Sequence, residues 1–150
     1  MEQCTLCPRR CRVNRSEKPG FCGMGDQPKL ARAALHFWEE PCISGTKGSG
    51  ALFFSGCTLR CAYCQNHNLS HEGHGKEISV QRLSEIFQSL YAQGAHNLNF
   101  VTATPFVPQV LEALEIYRPP IPIVWNCSGY ESMETLKMLE GKVDIYLPDL

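Results

Sequence analysis

The sequence predicts an α/β protein built on a parallel sheet or barrel, and three observations predict it. From Gly50 onward short apolar runs alternate with amphipathic stretches. The runs have the length of strands and the stretches the spacing of helices. Turn residues separate each from the next, in the order strand, helix, strand, helix, strand, helix, strand. Of the 150 residues, 43% are hydrophobic and 19% charged, which supports a folded core and not a disordered chain.

The elements follow in order. Ala51-Leu52-Phe53-Phe54, bounded by Gly50 and Gly56, reads as a buried strand. Residues 57–78 read as a long polar loop carrying three Cys and three His. Val80, Leu83, Ile86, Phe87, Leu90 and Tyr91 share one helical face, with Ser79 as N-cap and Gly94 as the stop. Residues 99–102 form a second strand. Val107, Val110, Leu111 and Leu114 mark a second helix that accepts Pro108 in its first turn. Residues 121–125 make a third strand, with its proline near the start. Met133, Leu136 and Leu139 indicate a third helix ending at Gly141, and residues 143–147 a fourth strand. With no covering helix after it, that strand would be an exposed parallel edge, so the sequence reads as a barrel cut short after about four strands.

Residues 1–48 have another texture. They are rich in Cys, Arg, Gly and Pro, show little periodicity, and are expected to form a small module of their own ahead of residues 49–150. Within residues 1–32, Arg9, Arg10, Arg12, Arg15, Lys18, Lys29 and Arg32 outnumber Glu2, Glu17 and Asp26, which suits a solvated surface around a metal knuckle. The whole chain has a net charge of -1, and no basic, aromatic-laced stretch extends past residue 32, which argues against nucleic-acid binding. No run approaches the roughly 20 apolar residues of a membrane span, and no cationic start with an apolar run marks a secretory signal. The expectation is a cytoplasmic protein with reduced thiols and no membrane contact.

Nine cysteines are then the informative feature, because clustered thiols in a reducing compartment usually serve metal or redox chemistry. Cys57-x3-Cys61-x2-Cys64 follows the first strand directly. Three thiolates in one tight loop can hold three corners of an iron–sulfur cube and leave one iron open to a substrate or cofactor. The alternative is a zinc knuckle completed by His67, His71 or His74. Position at the C-terminal end of a parallel strand, where α/β proteins keep their sites, favours the cluster. Cys4-x2-Cys7-x3-Cys11-x10-Cys22 suits a second site, either one tetrahedral zinc or a second cluster. Cys127 reads as a small buried residue and Cys42 as inert. His36, close to Glu39 and Glu40, reads as structural or as a substrate contact.

Cys57-x3-Cys61-x-Tyr63-Cys64 resembles the cluster motif of radical S-adenosylmethionine enzymes, C-x3-C-x-aromatic-C. Cys64-Gln65-Asn66, Gly48-Ser49-Gly50 and Phe53-Phe54-Ser55-Gly56 are similar to the pyruvate formate-lyase activating enzyme group. The Cys-rich start and His36-Phe37-Trp38-Glu39-Glu40-Pro41 resemble its branch with an N-terminal cysteine module. The resemblance implies a partial (β/α) barrel of six parallel strands. It implies a [4Fe-4S] cluster on Cys57, Cys61 and Cys64 that reductively cleaves S-adenosylmethionine to methionine and a 5′-deoxyadenosyl radical. That radical would abstract hydrogen from a substrate, which in the activating enzymes is a glycyl residue of a partner protein. An electron donor such as flavodoxin or ferredoxin is implied as well.

By the same resemblance Tyr63 would meet adenine through its backbone. Thr102-Ala103-Thr104-Pro105 stands where most relatives carry Gly-Gly-Glu-Pro, so Thr102 and Thr104 would face the cofactor's amino group without the carboxylate's charge assistance. Asn126 and Ser128, in Asn126-Cys127-Ser128-Gly129, match an Asp-Thr-Asn-Gly segment, and Asp149 matches the Asp of an Asp-Leu-Lys segment. In the activating enzymes those two strand ends contribute a monovalent cation site beside the cofactor, which the resemblance implies here as well. The competing reading is an iron–sulfur or zinc module for electron transfer or structure, or an inactive fragment, without S-adenosylmethionine chemistry.

Overall fold

The computed structural model describes residues 3–149. Six strands form one sheet. β1 (Lys29–His36) and β2 (Ser49–Phe54) are antiparallel, and the two-residue β3 (Lys76–Glu77) pairs antiparallel to β1. β4 (Leu98–Val101), β5 (Ile123–Cys127) and β6 (Ile145–Pro148) continue from β2 in parallel, giving the order β3-β1-β2-β4-β5-β6. The four parallel strands are those that the sequence predicts. β1 and β3 are additions to that count, and β1 lies in the stretch that shows no periodicity.

Five helices accompany them among the described residues: α1 (Pro41–Ser44), α2 (His67–Ser70), α3 (Val80–Ala92), α4 (Val107–Ile116) and α5 (Met133–Leu139). α2 and β3 interrupt what reads in the sequence as an unbroken loop over residues 57–78. α3 begins where its cap predicts, with Ser79 accepting a hydrogen bond from the Arg82 amide at 3.1 Å. It stops at Gly94, which takes a φ of +90°. Pro108 sits in the first turn of α4, where its missing N–H costs nothing. The third strand begins two residues later than predicted because Pro122 stays outside the ladder while its carbonyl accepts from Leu98.

The parallel strands divide their side chains between two faces. Leu52, Phe54, Leu98, Phe100, Ile123 and Trp125 turn to the helical side and are fully or almost fully buried. Phe87 of α3 meets Phe100 at 5.2 Å between ring centroids, and Phe100 meets Trp125 edge-on at 6.1 Å. Such aromatic pairs add roughly 0.5–1.5 kcal/mol each to their burial.

The opposite face carries Ala51, Asn99 and Val124 at one level and Phe53, Val101 and Asn126 at the next. Asn99 is fully buried, and neither its amide nitrogen nor its oxygen has a hydrogen-bond partner among the described residues. An unpaired buried polar group costs about 1–3 kcal/mol. Asn99→Leu, close in shape and free of polar atoms, is therefore expected to raise the urea midpoint by an equivalent of about 1–3 kcal/mol. A lowered midpoint would show that the amide is satisfied in solution.

Candidate active site

The C-terminal ends of the parallel strands open onto a cleft of about 550 Å³. Phe53, Val101, Asn126 and Asp149 come from the ends of β2, β4, β5 and β6; Arg32 and His36 come from β1; Gln65, Asn66 and His74 come from the polar segment after the cysteines. Parallel α/β sheets keep their ligands at this edge because the loops there are free to vary while the strands hold them in place.

Cys57, Cys61 and Cys64 begin three residues past β2 and are each half-buried. Gly56 makes the turn into this loop with a φ of +78°, and a Cβ there would lie 2.3 Å from Met24 Cγ and 2.8 Å from the Cys22 carbonyl. No other residue fits that corner. Cys57 and Cys64 line a small cavity of about 60 Å³ together with Thr102, which takes a left-handed φ of +59° and donates its N–H to the Asn126 carbonyl at 2.9 Å. The Cys64 amide closes a turn onto the Cys61 carbonyl at 3.2 Å. Among the described residues no three or more His, Cys, Asp and Glu side chains are gathered so that they could hold a metal ion.

The remaining sequence candidates fall into different places. Asn126 and Asp149 share the large cleft. Thr104 is buried and donates its hydroxyl to Glu131, so that hydroxyl is already engaged. Ser128 is half-buried just beyond β5, and Tyr63 is 92% exposed. Cys4, Cys7 and Cys22 are buried, with Cys11 half-buried beside them. Burial raises the Cys7 and Cys22 thiols above their ordinary range. At Cys11 burial acts in the same direction but is outweighed by hydrogen bonds from the Phe21 and Val13 backbone, and the net shift is downward. Cys127 is buried, and Cys42 is exposed.

Two acidic residues matter more than the sequence suggests. Glu39 lines the cleft, accepts from Asn126 Nδ2 at 3.1 Å, and has its carboxyl raised by burial and by Glu40, against the pull of His36 and the Asn126 bond. Its proximity to His36 in sequence is the signal that singles it out. Glu131 is buried between Thr104 Oγ1 and Trp125 Nε1, the latter at 3.4 Å. Nothing in Gly129-Tyr130-Glu131-Ser132 distinguishes it from a surface residue ahead of a helix cap.

A cysteine triplet at the head of a parallel sheet, beside a polar cleft, defines a class that comparison identifies. The profile of the Radical SAM superfamily matches residues 52–150, and the chain belongs to that superfamily. Members in general use a [4Fe-4S] cluster and S-adenosylmethionine for radical chemistry. An uncharacterized protein of Methanocaldococcus jannaschii is 31% identical over 157 aligned residues, which take in 99% of this chain and 45% of that protein. The chain thus spans less than half the length of this relative. No solved structure matches. No helix among the described residues is long and apolar enough to cross a membrane.

Proposed function

We propose that this chain is the cluster-bearing part of a radical S-adenosylmethionine enzyme, with Cys57, Cys61 and Cys64 as the cluster ligands. The observation that carries this reading is the placement of three half-buried thiols at the strand-end edge of the sheet, two of them lining a cavity with Thr102 next to the larger cleft. The donor set fits. Thiolate sulfur is the usual iron–sulfur ligand, and a cube spaces its ligands more widely than a single ion does. When bound, the cluster supplies the electron that cleaves S-adenosylmethionine.

The chain's own residues would receive that cofactor. Thr102, Thr104, Asn126, Ser128 and Asp149, with the Tyr63 backbone, are proposed to border it, and Thr104 acts in concert with the Glu131 carboxylate that holds its hydroxyl. The finer assignment is to the pyruvate formate-lyase activating enzyme-like branch, with an electron donor such as flavodoxin or ferredoxin and a protein substrate that loses a glycyl hydrogen. Cys4, Cys7, Cys11 and Cys22 form a second proposed metal centre, holding zinc or another cluster.

Anaerobic reconstitution with iron and sulfide, followed by dithionite and S-adenosylmethionine, tests the reading. The expected products are 5′-deoxyadenosine and methionine. The cofactor-facing threonines carry no charge of their own, and the Glu131 carboxylate beside Thr104 is already held by Thr104 Oγ1 and Trp125 Nε1, which favours one competing reading, a metal module without this chemistry. A chain that fills with cluster yet forms no 5′-deoxyadenosine would support that module. The N-terminal centre is tested separately. Replacing its four cysteines with serine in the full chain is expected to remove one metal complement and leave the other, and unchanged total metal would show that the quartet is empty.

A further inference from the structure

Resting on the cluster assignment above, we propose that Arg9 is a positioning residue for Cys57. It aims one peptide group of the cysteine loop so that its N–H faces the Cys57 sulfur. Three successive loop carbonyls are held from outside the loop. Arg9 Nε donates to the Thr58 carbonyl at 2.6 Å and Arg9 Nη2 to the Leu59 carbonyl at 3.3 Å. His71 Nε2 lies 3.2 Å from the Arg60 carbonyl. A carbonyl can only accept, so that nitrogen carries the proton and leaves Nδ1 to face the Ser70 hydroxyl at 2.7 Å.

A trans peptide points its C=O and its N–H in opposite directions. The peptide whose oxygen Arg9 grips is therefore the one whose nitrogen, that of Leu59, turns back into the loop. That nitrogen donates to Cys57 Sγ at 3.4 Å. The chain of contacts runs from guanidinium to carbonyl, through the peptide, from amide to sulfur. Hydrogen bonds to cluster sulfurs, and the outer groups that orient ligands, set affinity and potential as surely as the ligands do.

The base from which Arg9 reaches is itself held. Its guanidinium lies 3.5 Å from the centroid of the Phe21 ring, and Arg60 lies 5.8 Å from the same ring while donating to the Phe21 carbonyl at 3.2 Å. Arg9 falls between Cys7 and Cys11, and Phe21 directly precedes Cys22. The Cys4 amide bonds to the Val13 carbonyl and the Arg12 amide to the Cys4 carbonyl, closing a hairpin around Arg9. Leu6 then anchors that hairpin to the start of α5 through Ser132 and Thr135. The N-terminal cysteine segment is thus the platform that shapes the loop of the other three cysteines.

The test compares the parent with Arg9→Gln and Arg9→Lys. In the iron-free chain, hydrogen exchange at the Leu59 amide is expected to quicken about tenfold in Arg9→Gln, as the loss of one charge-assisted hydrogen bond implies, and less in Arg9→Lys, which keeps the charge. After reconstitution, Arg9→Gln is expected to release iron to a chelator roughly 10-fold faster and to show a more negative cluster midpoint in a titration followed by electron paramagnetic resonance. A merely structural arginine would lower the melting temperature and leave the midpoint in place. Parent-like exchange at Leu59, or a parent-like midpoint, overturns the proposal. A parent that takes up no iron overturns the cluster assignment instead, while exchange in the iron-free chain still decides whether Arg9 holds the loop.

Discussion

Replacing Cys57, Cys61 or Cys64 with alanine is expected to abolish the broad visible absorbance of the reconstituted chain and to bring 5′-deoxyadenosine formation to background. The measurement is cleanest with Cys4, Cys7, Cys11 and Cys22 also replaced, so that a single site is counted. Neither of the other two cysteines can take over. Cys42 is exposed and belongs to α1, ahead of β2, and not to the loop that follows it. Cys127 is buried, and its thiol is pushed up to about 12, above all by burial. A metal ligand must give up its proton. Single variants that keep the parent's iron content would sink the assignment of these three residues.

The second large effect concerns Arg15, which is only 4% exposed and has no carboxylate among its hydrogen-bond partners in the described residues. Its guanidinium instead donates to the carbonyls of Met24, Gly25 and Pro105 and lies 5.5 Å from the centroid of the Phe106 ring. Arg15→Met keeps much of the stem and leaves the Gly25 and Pro105 carbonyls bare, whereas the Met24 carbonyl retains the Gly20 amide. At about 1–3 kcal/mol for each stranded group, the loss is about 2–6 kcal/mol. In a domain of this size that corresponds to a fall in melting temperature of roughly 4–24 °C. A change below about 0.5 kcal/mol, the range of an ordinary surface substitution, would mean that the guanidinium reaches water.

Much of this architecture is legible in the sequence. The four parallel strands and the three longer helices announce themselves because each must bury one face, and burial imposes a period. β1 escaped for the opposite reason. Lys-Leu-Ala-Arg-Ala-Ala-Leu-His has neither clean alternation nor a continuous apolar run, and in the structure only Leu30 of this strand is buried. β3 is too short to leave any pattern.

The cysteine loop was visible because its chemistry resides in residue type and spacing. Its supports were not. Arg9 and Arg15 read as part of a basic surface, yet their bonds reach 49 and 90 residues along the chain, to oxygens of the main chain that no side-chain pattern records. Glu131 was hidden in the same way, since its partners Thr104 and Trp125 become neighbours only when β4 and β5 pair.

That N-terminal segment also has a history within synthesis. Arg9 waits for Thr58, Arg15 for Pro105, and Leu6 for Thr135, a separation of 129 residues. The entropy of closing such long loops grows only slowly with length, so the delay is one of supply and not of cost. At the ribosome's roughly 5–20 residues per second, the last of these partners emerges about ten seconds after the first cysteines. The segment is therefore made well before its distant supports, and during that interval Cys4, Cys7, Cys11 and Cys22 have only the local bonds of their own segment to shield them from whatever metal or oxidant the nascent chain encounters.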